Sequence, residues 1–340
     1  MPAGCALGIV AALAAIFPVL VSAQDVVHVA NPSSAQGYAE WRGQVIDYTG
    51  RELQLQLPGG PKRTFPADQV LRIETEHGPQ HVEADRRFAV GEFDGALALY
   101  VEARNREPRP WVRRQITAQI VWCDRALGQP ERAGGEFLEV LLPADPDTLY
   151  FACIPLAWVP AQPSLAVERA AAEWIRRDQV PAAVLLGASH LMSTGDRNAA
   201  LERLNRLATD RDPRIALLAY AQTWRAAVVT ADERQLDRWR ATIERMPEAL
   251  RAGPYYVLGQ AEAHRERWEA AALAWLRVPI LYPEHRLLAA RSLLDAGRSL
   301  ERLGQSDQAG GLYRELVESY PKTPAEAEAQ ARLRETNEGG

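Results

Sequence analysis

Lysine is almost absent from this 340-residue chain: Lys62 and Lys322 are the only two, so arginine carries the positive charge. That preference has two readings: selection for planar pairing with carboxylate or phosphate, or the codon bias of a GC-rich genome, which abundant alanine also fits. Positive charge is not in excess, since 39 Lys and Arg face 44 Asp and Glu, for a net charge of −5. With a pI near 5.8, the chain lacks the basic stripe of a nucleic-acid binder. Cysteine is scarce as well, with Cys5, Cys123 and Cys153 the only three. Past residue 23, no run is long and apolar enough to cross a bilayer. Disorder is excluded by a hydrophobic content of 47% against 24% charged residues.

Catalytic constellations are missing too. His77 and His81 form H-x-x-x-H, with no third ligand beyond Glu76 and Glu83. Gly187-Ala188-Ser189-His190 lacks the second glycine of a nucleophile elbow and reads as helix interior. Gly59-Gly60-Pro61-Lys62 is too short for a phosphate loop and reads as a hairpin turn. Neither Cys123 nor Cys153 has the basic neighbours of an activated thiol. The sequence therefore predicts no enzyme, no metal and no cofactor.

The N-terminus carries an uncharged apolar run from Ala6 to Val21, followed by the small-x-small pattern Val21-Ser22-Ala23. Together these predict a signal peptide over 1–23 and an exported chain in the periplasm or cell envelope. No basic residue precedes the run, so an uncleaved membrane anchor is the alternative. In an exported chain, Cys123 and Cys153 either form a disulfide or serve as small buried side chains.

Residues 24–37, centred on Asn31-Pro32-Ser33-Ser34, read as a linker. In 38–76 the period is two. Leu53, Leu55 and Leu57 alternate with polar residues, Val45-Ile46 precedes them, and Thr64-Phe65 and Val70–Ile73 follow. Four short strands predict a small barrel-like domain of the SH3 or Sm type. From residue 80 to 335 the period is helical, broken by turns such as Leu127-Gly128-Gln129-Pro130 and Ala252-Gly253-Pro254, and 336–340 read as a polar tail.

The helical part repeats. Gly259, Ala271, Trp275 and Pro283 each stand 38 residues before Gly297, Ala309, Tyr313 and Pro321. Gly91, Phe93, Ala96, Tyr100 and Pro108 keep the same spacing earlier, whereas residues 110–250 keep only part of it. In this pattern the chain resembles the tetratricopeptide repeat family. Glu266 stands where that family's turn glycine is usual. The resemblance implies stacked helical hairpins, so the expected fold is mostly α: a helical-hairpin solenoid preceded by the small β domain. It also implies a concave groove lined by first helices, here Tyr256, Gln260, His264, Arg291, Leu294, Arg298, Glu301 and Arg302. The arginines suit an acidic protein or peptide partner. The functional expectation is a non-enzymatic envelope scaffold. The alternative is a self-associating structural protein whose β domain contacts cell wall or a partner.

Overall fold

The structure is a computed structural model that describes residues 24–34 and 36–338. The expected signal segment lies outside the described residues. Five strands come first: β1 Asp25–Ala30, β2 Tyr38–Tyr48, β3 Glu52–Gln56, β4 Lys62–Pro66 and β5 Val70–Glu74. They form one antiparallel sheet in the order β4-β3-β2-β1-β5. With β4 and β5 at opposite edges the sheet is open, so the barrel expected for this region does not close.

Strand β1 corrects the sequence reading, which placed 24–37 in a linker. Its Val26, Val27 and Val29 are β-branched, and the turn at Asn31-Pro32 ends it. Asp25, at its start, accepts a hydrogen bond from the Val45 backbone N–H at 2.7 Å. The period-two reading of β3 holds: Leu53 and Leu55 are fully buried, with their polar neighbours less so.

Helices follow to the end of the described chain: α1 Pro79–Ala89, α2 Phe93–Arg106, α3 Pro110–Ala126 and α4 Pro130–Gly135. A π-helical stretch, Glu136–Leu141, continues α4 into α5 Leu142–Ala144. After an irregular segment come α6 Leu165–Trp174, α7 Pro181–Leu191, α8 Arg197–Leu207, α9 Pro213–Trp224 and α10 Glu233–Arg245. The series ends with α11 Ala252–His264, α12 Trp268–Leu281, α13 Arg286–Arg302, α14 Ser306–Ser319 and α15 Pro324–Glu338. The tail expected from residue 336 is helical as far as 338.

The sheet has no core of its own. Val27, Val45, Leu53 and Leu55 join Ala84, Tyr100, Trp111 and Ile116 of α1–α3 in one buried cluster. Polar contacts fasten the same junction: the Arg114 guanidinium donates to the Tyr48 carbonyl at 3.0 Å and pairs with Asp47. Gly50, in the β2–β3 turn, donates its N–H to Asp145 at 2.9 Å. A second, larger cluster runs through the remaining helices.

Candidate functional site

Four hairpins share one local design. A small or β-branched residue of the first helix is followed seven residues later by a left-handed turn residue, then by Ala, then by an aromatic. The sets are Ala84, Gly91, Ala96 and Tyr100; Val121, Gly128, Ala133 and Phe137; Gly259, Glu266, Ala271 and Trp275; and Gly297, Gly304, Ala309 and Tyr313. The turn residues have φ of 78°, 70°, 58° and 73°. Each turn closes the first helix with the same pair of bonds: Glu92 to the Arg87 carbonyl and Gly91 to Phe88, Gln129 to Asp124 and Gly128 to Arg125, Arg267 to Glu262 and Glu266 to Ala263, Gln305 to Leu300 and Gly304 to Glu301. This is the Schellman closure, in which the last carbonyls of a helix are satisfied by a left-handed residue. The hairpin at 110–141, which sequence matched only in part, is thus built like the others.

Helices pack on their sequence neighbours, and α7, α9, α11 and α13 also pack in series on one another. The array then returns on itself, because α13 packs on α3. At that closure Trp122 meets the His285 ring at 4.9 Å. Nearby, the Arg286 guanidinium lies over Phe93 and donates to the Pro321 carbonyl at 2.7 Å.

The interior of the array is occupied by the chain itself. After a short 3-10 turn at Phe151–Cys153, residues 154–159 are irregular, yet Ile154, Leu156 and Trp158 are buried. A buried irregular backbone must find partners for its polar groups, and the surrounding helices supply them. From α3, Arg125 donates to the carbonyls of Ala152 at 3.2 Å and Cys153 at 3.1 Å. From α7, His190 Nε2 bonds the Pro155 carbonyl at 2.9 Å, and Ser189 Oγ accepts from the Ala157 N–H at 3.2 Å. From α9, Gln222 and the adjoining Arg225 donate to the Ala157 carbonyl at 3.0 and 2.9 Å. Burial lowers the pKa of Arg125 and of Arg225 to about 10, and that of His190 to about 4. His190 is therefore a neutral donor at physiological pH.

The residues expected to form a groove divide into two groups. Gln260, His264 and Arg291 line one open cavity of about 310 Å³, together with Trp268, Trp275 and Asp295. The rest, apart from Arg302, are engaged within the fold. Leu294 is fully buried, and Tyr256 is buried with its hydroxyl 3.1 Å from Asp295. Asp295 also takes Arg291 at 2.9 Å and Arg298 at 3.2 Å, and Glu328 of α15 pairs with Arg298 from the other side. Glu301 lies 3.8 Å from Arg332 of α15. Arg302 is exposed and stands 5.7 Å from the Trp268 ring centre.

Cys123 and Cys153 are both free and buried, which corrects the disulfide allowed by the sequence. Cys123 belongs to the core shared with the sheet, whereas Cys153 belongs to the larger helical core. Burial pushes the Cys123 thiol well up and that of Cys153 up to about 12. The His77 and His81 rings do meet, tilted at 50° with centres 4.0 Å apart, and His81 Nε2 is 3.7 Å from Asp85. Among the described residues, however, no three His, Cys, Asp or Glu side chains are arranged to hold a metal ion. Among the described residues, too, no helix is long and apolar enough to cross a membrane.

Comparison with known families places one unit of this array. A model of the tetratricopeptide repeat matches residues 291–323, which run from the first turns of α13 through α14 to the link before α15. No curated protein matches the chain.

Proposed function

We propose that this chain is a non-enzymatic scaffold of the cell envelope that binds a protein partner on its helical-hairpin array. The observation that carries the reading is the array itself: a unit that matches the tetratricopeptide repeat, among hairpins that share its turn and its aromatic, around an interior where side chains hold an irregular segment by its carbonyls. Side chains that satisfy backbone groups hold a chain with little regard to its sequence. Because residues 153–159 occupy that interior, a partner is placed on the outer surface, at the open cavity of Gln260, His264 and Trp268 with exposed Arg302 beside it. Arg291 and Arg298 are neutralised by Asp295 and Glu328, so Arg302 and His264 are the groups that would meet an acidic segment. Export rests on the apolar run from Ala6 to Val21 and the Ala23 cleavage pattern.

The test is crosslinking and pull-down from envelope extracts with the full chain as bait, wild type against a His264→Ala, Arg302→Glu double variant. The reading expects specific partners that the variant loses. Equal capture by both baits would overturn the surface, and no partner at all would overturn the scaffold. A recovered mature protein beginning at Gln24 would establish export.

A further inference from the structure

A cavity of about 360 Å³ lies where the array closes on itself. Three distant segments wall it: the α3–α4 turn from Arg125 to Pro130, the irregular chain from Pro155 to Ser164, and the start of α13 from His285 to Leu288. Small-molecule pockets span roughly 300–1,000 Å³, and this one falls at the compact end. Its walls are apolar: Pro130, Leu156, Trp158, Val159, Val167 and Leu288.

The charged side chains that line it, Arg125 and Arg286, are both cationic. Among the described residues that line it there is no Asp or Glu. Arg125 lines the cavity without a carboxylate partner: it bonds two carbonyls and His285 Nδ1 and lies over the Trp122 ring at 4.2 Å, and no carboxylate stands within ion-pair distance among the described residues. Glu284 feels this charge, which opposes the upward push of burial on its carboxyl, but it makes no ion pair with Arg125. His285 is 7% exposed. Because Arg125 Nη2 donates to its Nδ1 at 2.9 Å, the ring proton sits on Nε2. That Nε2 has no hydrogen-bond partner. An orphaned buried donor and an unpaired guanidinium are both costly unless something accepts from them. An anion with an apolar body satisfies the charge and fills the walls at once.

We propose that this cavity binds a small apolar monocarboxylate, with Arg125 as its counter-charge and His285 in the wall beside it. Octanoate is the probe. Isothermal titration of the full chain should show saturable octanoate binding and a rise in Tm. Octan-1-ol, which has the body without the charge, and acetate, which has the charge without the body, should each bind at least about tenfold more weakly, since a charge-assisted contact and apolar burial are each worth that much. Arg125→Gln should weaken octanoate by about 10- to 100-fold. Because Arg125 also holds the Ala152 and Cys153 carbonyls, Val159→Phe is the second variant. It narrows the cavity from a partly exposed wall and should cut octanoate binding by at least tenfold with the circular dichroism unchanged. Octanol binding as tight as octanoate would overturn the proposal, as would no octanoate binding at millimolar concentration. So would a peptide with a free apolar C-terminus that binds where octanoate does not.

Discussion

Trp275 of α12 lies directly over Gly259 of α11. A Cβ on Gly259 would stand 2.6 Å from the indole, and the indole N–H donates to the Tyr256 carbonyl at 3.0 Å. The relationship recurs one hairpin on, where a Cβ on Gly297 would stand 2.4 Å from the Tyr313 ring. The missing side chain is what lets each aromatic reach the backbone of the paired helix, so glycine and aromatic form one unit of packing.

Gly297→Ala should therefore destabilise the protein by about 1–3 kcal/mol, the usual cost of overpacking a tight core. Gly311, in the middle of α14, has open space around its missing Cβ. Gly311→Ala should stabilise by about 0.5–1 kcal/mol through helix propensity alone. Urea unfolding of the two variants checks the contrast. Equal effects would mean that the close approach at Gly297 carries no energetic weight.

Glu266 is the one turn residue of the four hairpins that is not glycine, and it is held at φ 58°. A side chain in that region costs about 1 kcal/mol. Glu266→Gly should raise stability by about 0.5–1 kcal/mol, read as a higher urea midpoint with an unchanged slope. A loss of stability would show that the exposed Glu266 side chain contributes more than its backbone strain costs.

These local features explain what was legible in the sequence. The spacing of Gly259, Ala271 and Trp275 and its repeat at Gly297, Ala309 and Tyr313 is visible because it is local, and the mostly helical fold follows from it. The hairpin holding Val121 and Phe137 was harder to see, since valine replaces the small residue while the turn and aromatic remain. Strand β1 was hidden because Asn31-Pro32-Ser33-Ser34 drew its neighbours into a linker, although Val26, Val27 and Val29 carried the signal. The surroundings of the residues expected to line a groove are not legible in the repeat. A repeat pattern assigns the face of a helix but not what later helices bring against it, and α15 brings Glu328 onto Arg298. The filling of the interior by residues 153–159 depends on contacts between α3, α7 and α9, far apart in sequence, so no local pattern announces it.

His190 makes stability depend on pH. Its native pKa is about 4, lowered by burial, against about 6.5 in the unfolded chain. Between these values the unfolded state binds a proton that the native state refuses, so stability falls as pH falls from about 6.5 to about 4. The full loss is about 3 kcal/mol. Burial lowers the His285 pKa too, and adds in the same direction. His190→Gln keeps an N–H donor for the Pro155 carbonyl but cannot titrate. It should flatten the difference in unfolding free energy between pH 7.5 and pH 5. An unchanged difference would place the pH dependence elsewhere.

Trp158 offers the sharpest test of the occupied interior, because Gly253 lies directly against its indole. A Cβ on Gly253, at the start of α11, would stand 1.9 Å from the Trp158 indole, closer than any pair of atoms tolerates. Gly253→Ala must therefore displace Trp158 or α11, and should cost about 1–3 kcal/mol. Trp158→Ala should cost about 3–5 kcal/mol by leaving a cavity among the helices. In the double variant the obstacle is gone and the new methyl enters the vacated space. The two losses should fall short of additive by about 1–3 kcal/mol. A double-mutant cycle from urea unfolding measures that term, and strict additivity would show that residues 153–159 do not pack against α11. Because the segment is held through its backbone by Arg125, His190, Gln222 and Arg225, Trp158→Ala should leave it in place as a loosened occupant. Proteolytic nicking between 153 and 164 should then rise in the single variant without loss of the helical signal.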